Sequence, residues 1–325
     1  MTAWQRLNAR LGAETLPLVA FLIFVCAAFA AATPLFLTGA NLRSMAFQMP
    51  VLGLLTLAML VPILSGGLNL AIIYQANMAG LTLAWVLIRF GGPEAGLGAF
   101  LLGAGLAVLV GALSGAVIGA VVAYLGAHPI LVSLAMMIFL RGLGEFLTRG
   151  GDISGFPAYM NTLGHGSVSG VPVPMLVFLA AALVWHVMLK RTRHGFSVYM
   201  IGSNIRAAEY SGLHTRRTLT LVYAISGVIC AVAGILMAAS FNSVRVGHGE
   251  ALLLVTVLAC FLAGVDPFGG FGRVLPVVVA LMILQALSSG LNLIGANQHL
   301  STAVWGLFLI AVMALRYAAL RWRGR

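Results

Sequence analysis

The sequence predicts an all-α, polytopic membrane protein of about ten transmembrane helices with both termini in the cytoplasm. Three observations predict it. Hydrophobic residues make up 61% of the 325-residue chain and charged residues only 8%. A soluble domain carries about 25% charged residues, so a surface built from this chain would be short of charge by about threefold. The apolar residues also fall in continuous runs near the length of about 20 that an α-helix needs to cross a bilayer. Those runs lack the alternation of a membrane β-barrel.

The elements follow in order. An apolar run from Leu16 to about Leu37 comes after Arg6 and Arg10. Ala28-Phe29-Ala30 imitates a cleavage site, but the run exceeds the 7–15 residues of a signal-peptide core, so it reads as an uncleaved first span. Further spans are predicted over 45–64, 68–89, 97–125, 129–148, 174–190, 217–240, 250–265, 273–295 and 300–317. The whole chain, 1–325, is expected to be one transmembrane domain, with first helices over 16–190, a polar loop over 191–216 and remaining helices over 217–317. Cys26, Cys230 and Cys260 lie inside apolar runs with no C-x-x-C spacing, which fits small fillers of helix interfaces rather than a disulfide or zinc framework.

The net charge of +11 is placed unevenly. With the N-terminus inside, 13 basic residues fall on the cytoplasmic side and five (Arg43, Arg89, Arg141, Arg149, Arg245) on the other. The basic excess is therefore a topology signal, and anionic inner-leaflet lipid is its natural electrostatic partner. Too little polar surface remains for a nucleic-acid face.

Two loops stand out. Gly150 to Pro174 is the longest external stretch, rich in Gly, Ser and Pro. Lys190 to Arg217 is the longest internal one and holds six of the 18 basic residues. Only the internal loop reads as a short helix with stops: Asn204 can N-cap, Ile205 to Ser211 can turn and Gly212 can close the helix in a left-handed conformation. Two turns of polar helix do not persist alone in water, so the segment either docks against something or is a passive basic anchor. Gly111, Gly115 and Gly119 lie on one helix face, and Gly227 pairs with Ala231, the small-residue spacing that lets helices approach closely in lipid.

Several chemistries are missing. The single lysine, Lys190, stands outside any G-x-x-x-x-G-K-[ST] phosphate loop, so no Walker-type ATPase site is encoded. No H-E-x-x-H or G-x-S-x-G occurs. The seven acids (Glu14, Glu94, Glu145, Asp152, Glu209, Glu250, Asp266) lie at or near predicted span ends, which lowers a proton- or sodium-coupled carrier reading. Arg141 and Glu145, four residues apart, read as a structural pair. Two helix breaks are more suggestive: Pro62 with Ser65-Gly66-Gly67-Leu68-Asn69, and Gly264-Val265-Asp266-Pro267-Phe268-Gly269-Gly270-Phe271-Gly272. Non-helical backbone cannot face lipid. Paired breaks at Gly66, Gly67 and Asn69 and at Gly264, Asp266, Gly269 and Gly270 therefore mark either a translocation path or plain turns outside the membrane.

From about Leu42 to Leu315 the chain resembles the membrane-spanning permease subunits of bacterial ABC importers for ribose, arabinose, xylose, galactose and related sugars. The resemblance is carried by Ala123-Tyr124-Leu125-Gly126-Ala127-His128-Pro129-Ile130-Leu131-Val132-Ser133-Leu134 with Arg141-Gly142-Leu143 and Gly150-Gly151-Asp152 after it. It is carried most specifically by Arg191-Thr192-Arg193-His194-Gly195 leading into Ile201-Gly202-Ser203-Asn204-Ile205-Arg206-Ala207-Ala208-Glu209-Tyr210-Ser211-Gly212. The third stretch is the glycine-rich run from Leu262 to Gly272.

The resemblance implies an inner-membrane permease that pairs with a second permease chain, identical or similar. A separate ATP-binding cassette subunit binds and hydrolyses the ATP, so the chain itself carries no catalytic site, cofactor or metal. A periplasmic sugar-binding protein delivers a monosaccharide or similar polyol. It also implies that Asn204, Arg206, Ala207, Ala208, Glu209, Ser211 and Gly212 form the coupling helix that seats in the ATP-binding subunit. Where the family often reads Gly-Gly-Ile-Asp-Leu-Ser-Val-Gly, this chain has Gly66-Gly67-Leu68-Asn69-Leu70-Ala71-Ile72-Ile73, with an amide in place of the carboxylate. Permeases for nucleosides or branched-chain amino acids, in related importers, are the nearest alternative. A stand-alone secondary carrier or channel is the alternative from another class.

Overall fold

The computed structural model describes residues 15–297 together with 300, 303–308, 310, 311 and 314. Eight helices in it are long and apolar enough to cross a membrane: α1 (Thr15–Ala32), α2 (Gly39–Leu64), α3 (Ile72–Arg89), α4 (Leu97–Leu125), α5 (Pro129–Thr148), α7 (Val173–Arg191), α10 (Thr215–Phe241) and α12 (Val274–Leu293). The shorter helices are α6 (Ala158–His165), α8 (Arg193–Ser203), α9 (Ile205–Tyr210) and α11 (Leu252–Leu262). The expected span over 250–265 is thus an 11-residue helix, about 17 Å long, half of what a bilayer requires. The expected span over 300–317 is described only in part, and its described residues (300, 303–308, 310, 311 and 314) are helical.

Burial separates the helices into layers. α2, α3 and α10 are the most enclosed, and α1, α4, α5 and α7 flank them with much of their apolar surface turned outward. α10 packs against α4, α3 and α2; α2 also carries α7, α11 and α12, and α12 carries α1. The two small-residue stripes meet. A methyl on Gly111 would run into the carbonyl of Gly227 and the side chain of Ala231, one on Gly115 into the carbonyl of Tyr223, and one on Gly119 to 2.7 Å from Thr220 Cα. Close backbone approach of this kind supplies dispersion contact where apolar burial drives nothing. α2 and α12 are joined instead by polar groups: Ser289 Oγ donates to Asn41 Oδ1 (2.8 Å) and Gln285 Nε2 to Gln48 Oε1 (3.2 Å).

Two ends of the bundle differ. At one, here the strand end, β1 (Ile153–Ser154) pairs antiparallel with β4 (Ser243–Val244), and β2 (Ser167–Val168) with β3 (Val171–Pro172). The second ladder closes through Ser169 and Gly170, both with positive φ, as a two-residue hairpin of that twist requires. α6 lies in the 150–174 stretch, where the sequence suggested no helix. It is anchored by Met160, fully buried, and by Gly164 against the Ala239 carbonyl. The opposite end, the glycine end, gathers both sequence breaks and the 191–216 loop, which is α8 and α9 rather than a single short helix.

Candidate translocation and coupling site

The first break begins where Pro62 sits in the last turn of α2. Ser65, Gly66 and Gly67 fold back on the Val61, Pro62 and Ile63 carbonyls, with Gly66 at φ 84°. The chain then runs extended to α3 and carries Asn69 into the interior, fully enclosed. Asn69 Nδ2 donates to Gln75 Oε1 (2.9 Å) and Ser226 Oγ (3.0 Å), while Oδ1 accepts from Ala71 N (3.1 Å). Ser226 Oγ donates to Ala58 O (2.7 Å) and Gln75 Nε2 to Ser114 Oγ (3.1 Å). This network ties α2, α3, α4 and α10 together. Every polar atom of the Asn69 amide is used, so in this conformation the residue staples helices and faces no cavity.

The second break is the turn between α11 and α12. Asp266 Oδ1 accepts from Phe268 N (2.9 Å), Asp266 N donates to Phe271 O (2.9 Å), and Gly264, Gly269, Gly270 and Gly272 all have positive φ. Gly270 N donates to Leu64 O at the end of α2 (2.9 Å). A methyl on Gly269 would approach Gly66 N at 2.6 Å, and one on Gly202 would strike Leu64 O. Gly202 closes α8, directly before the Asn204 cap. The two breaks and the entrance to α9 therefore meet backbone to backbone, because no residue but glycine leaves room. Tyr199 Oη of α8 adds a bond to Gly272 O (2.7 Å), and burial pushes that hydroxyl above its ordinary pKa, keeping it a donor.

α9 forms as its sequence suggests. Asn204 Oδ1 accepts from Ala207 N (3.0 Å), Ser211 ends the helix and Gly212 follows at φ 78°. Its hold on the bundle is one apolar residue: Ala208, fully buried, packs with Ile201 and Leu219. Glu209 Oε1 accepts from Thr215 Oγ1 (3.0 Å), which fastens the helix to the start of α10. The remaining side chains, Arg206 and Tyr210 among them, point away, and Tyr210 is 92% exposed. Phe268 (88%) and Phe271 (68%) are exposed at the same end. A cavity of about 390 Å³ opens beside this junction, lined by Gly66, Gly67, Gly202, Ile205, Tyr223 and Phe268. In α8, burial lowers the His194 pKa, and its Nε2 has no hydrogen-bond partner.

Deeper in the bundle α11 begins at a turn that is not at the strand end. After β4 the chain dips inward through Gly247 and Gly249, both at positive φ. The amide of Asn77, in the orientation that satisfies both of its ends, accepts from Gly247 N (2.9 Å) and donates to His248 O (3.2 Å). Glu250 Oε1 thereby lies 3.7 Å from Arg141 Nη1, and Arg141 Nε donates to Glu145 Oε1 (3.1 Å).

A family model described as branched-chain amino acid transport system / permease component matches residues 41–313. The chain belongs to this family of transport permeases. It is similar to the autoinducer 2 import system permease protein LsrD of Yersinia enterocolitica, 30% identical over 275 residues, covering 83% of this chain and 81% of that one. LsrD of Salmonella typhi is 29% identical over 326 residues, 98% of this chain and 95% of its own length. No solved structure matches the chain significantly. The permease is a multi-pass inner-membrane protein.

The permease's structure brings together Gly66, Gly67, Gly269 and Gly270 with the entrance to the 204–212 segment. Gly264 and Asp266 shape the second turn without touching the first. Sequence reasoning missed Gly202 and Tyr199, whose signal was the glycine-aromatic punctuation of a loop read as polar. It also missed Glu250 as the third member of the Arg141–Glu145 pair, for which the sequence carries no local signal.

Proposed function

We propose that this permease is the membrane subunit of an ATP-driven importer, paired with a second permease chain and served by a separate ATP-binding cassette subunit and a periplasmic binding protein. The substrate is a monosaccharide or similar polyol. An even number of membrane crossings with both termini cytoplasmic fits the basic-residue bias. That orientation makes the glycine end cytoplasmic and the strand end periplasmic. The relatives' names place them in autoinducer 2 import rather than amino-acid import, which supports the first reading over the branched-chain alternative.

One observation carries the mechanism: Gly202, at the entrance to α9, contacts Leu64 of the first break and Gly270 of the second at once. A push on α9 reaches both discontinuities without an intermediary. Tyr210, Phe268, Phe271 and Arg206 form an exposed aromatic and basic face for the ATP-binding subunit. ATP binding by that subunit moves α9, the junction carries the motion to α2, α8 and α12, and the path alternates between its two openings. Substrate shifts that balance only through its differential affinity for the two states.

The test is a transporter with Arg206→Glu and Tyr210→Ala in the permease. Uptake driven by ATP in proteoliposomes is expected to fall to background while the variant inserts and purifies like wild type. Uptake at the wild-type rate would sink the coupling role. Uptake driven by an ion gradient with no ATP-binding subunit would favour the carrier alternative.

A further inference from the structure

We infer that Arg141, Glu145, Glu250 and Tyr74 form a substrate-hydroxyl station in the outer half of the membrane, on the translocation path. The inference rests on the importer reading above and assigns the residues that meet the substrate within it.

Depth is the first argument. Arg141 lies 12 residues from Pro129 and seven from Thr148 in α5. At 1.5 Å per residue it is about 18 Å from one end of the helix and 10 Å from the other. Its side chain is 52% exposed, and those of Glu145 and Glu250 are 51% and 58%. Charges at this depth do not face hydrocarbon; they face water or protein. A surface that presents three of them half-open belongs to an aqueous path, closed on its far side by a second permease chain.

The bonding pattern gives the ligand class. One guanidinium serves two carboxylates: the Glu145 contact at 3.1 Å is a hydrogen bond, whereas the Glu250 contact at 3.7 Å is an ion pair that leaves that carboxylate free to accept. Arg245, the neighbouring cation, is itself paired with Asp152 (3.6 Å). Glu145, Glu250 and Asp152 stand beside Arg141, Arg149 and Arg245, and the two longer ion pairs leave both carboxylate oxygens and guanidinium N–H groups free. A polyhydroxylated molecule uses both, because its hydroxyls donate to the carboxylates and accept from the guanidiniums.

Tyr74 completes the set. The Arg141 guanidinium lies 6.0 Å above its ring. It is 2% exposed, and its hydroxyl, which can both donate and accept, makes only a stretched contact with the Glu250 carboxylate. A cavity of about 360 Å³, lined by Glu145, Thr148, Gly150, Arg245 and Val246, leads to the cluster, within the range of small-molecule sites. The half-length helix α11 starts here, next to Glu250, as discontinuous helices do at transporter binding sites.

The experiment has two arms, both on the complete transporter. In the first, Glu250→Cys is treated from outside with a membrane-impermeant methanethiosulfonate. Cys230 and Cys260 are buried, and a Cys26→Ser background removes the third native thiol. Rapid labelling is expected, and a residue that stays unlabelled in every nucleotide state overturns the station. In the second arm, proteoliposome uptake of labelled D-ribose and D-galactose is compared with that of L-leucine. Tyr74→Phe, which keeps the ring, and Glu250→Gln, which keeps the shape, are each expected to cut sugar uptake about tenfold, the worth of one lost hydrogen bond to a charged group. Their thermal stability should match wild type. Undiminished sugar uptake in both variants overturns the station and leaves the importer reading standing. Leucine uptake without sugar uptake overturns the substrate class in both.

Discussion

Replacing Asn69 by Asp puts the family's more frequent residue into this chain, and the structure predicts that it does harm. The amide donates two hydrogen bonds, to Gln75 Oε1 and Ser226 Oγ, from a site with no solvent exposure. A carboxylate donates neither. It would face the Gln75 oxygen, and a Ser226 hydroxyl whose proton is already committed to Ala58 O. Turning the Gln75 amide over would satisfy one contact at the expense of its bond to Ser114. Each buried group left unsatisfied costs about 1–3 kcal/mol, so two give about 2–6 kcal/mol before any charge is desolvated. The assay is the monodisperse fraction of detergent-solubilised protein after heating, ranked at one scan rate because such unfolding is irreversible. Asn69→Asp should melt well below wild type, and an Asn69→Ala/Ser226→Ala double-mutant cycle should return a coupling of about 1 kcal/mol. An Asp variant as stable as wild type would refute the assignment of Asn69 as an interhelical staple.

Other outcomes follow from the same contacts. Gly202→Val adds three carbons, the first of which already meets the Leu64 carbonyl and Gly270 nitrogen; transport should be lost, with destabilisation of about 1–3 kcal/mol from overpacking, read by uptake and by thermal melting. Tyr199→Phe removes the bond to Gly272 O at about 1 kcal/mol, and faster hydrogen exchange over 264–272 would register it. Gly115→Leu should separate α4 from α10 and prevent accumulation in the membrane, visible by immunoblot. His194 is held below its usual pKa by burial, so the folded α8 binds fewer protons than the unfolded chain near pH 6.5. Its contribution is present above that pH and is lost as pH falls toward the folded pKa; exchange over 193–203 should rise between pH 7.5 and 5.5 in wild type and not in His194→Phe.

The spans were legible where a continuous apolar run has hard punctuation at both ends. The segments 97–125 and 129–148 coincide with α4 and α5, bounded by Gly96, Gly126, Pro129 and Gly150. The run over 250–265 misled, because Gly247 and Gly249 turn the chain inside the bundle and apolar composition does not report depth. α6 and α8 are too short for periodicity to separate them from loop. The α9 cap was legible because Asn204, Ala207 and Gly212 are local in sequence. The Asn69 partner Ser226 lies 157 residues away, and Glu250 is also far from Arg141 along the chain. Such pairings are products of packing, invisible in one linear pattern.

The glycine junction has a mechanical consequence. Side chains absorb small displacements by changing rotamer, and contacts built from them are compliant. Leu64, Gly66, Gly202, Gly269 and Gly270 touch through main-chain atoms, which have no rotamers to give. A shift of an ångström at Gly202 must therefore reappear at the ends of α2 and α12 almost undiminished. The price of that stiffness is mutational: a single added carbon at these positions jams the gear rather than loosening it.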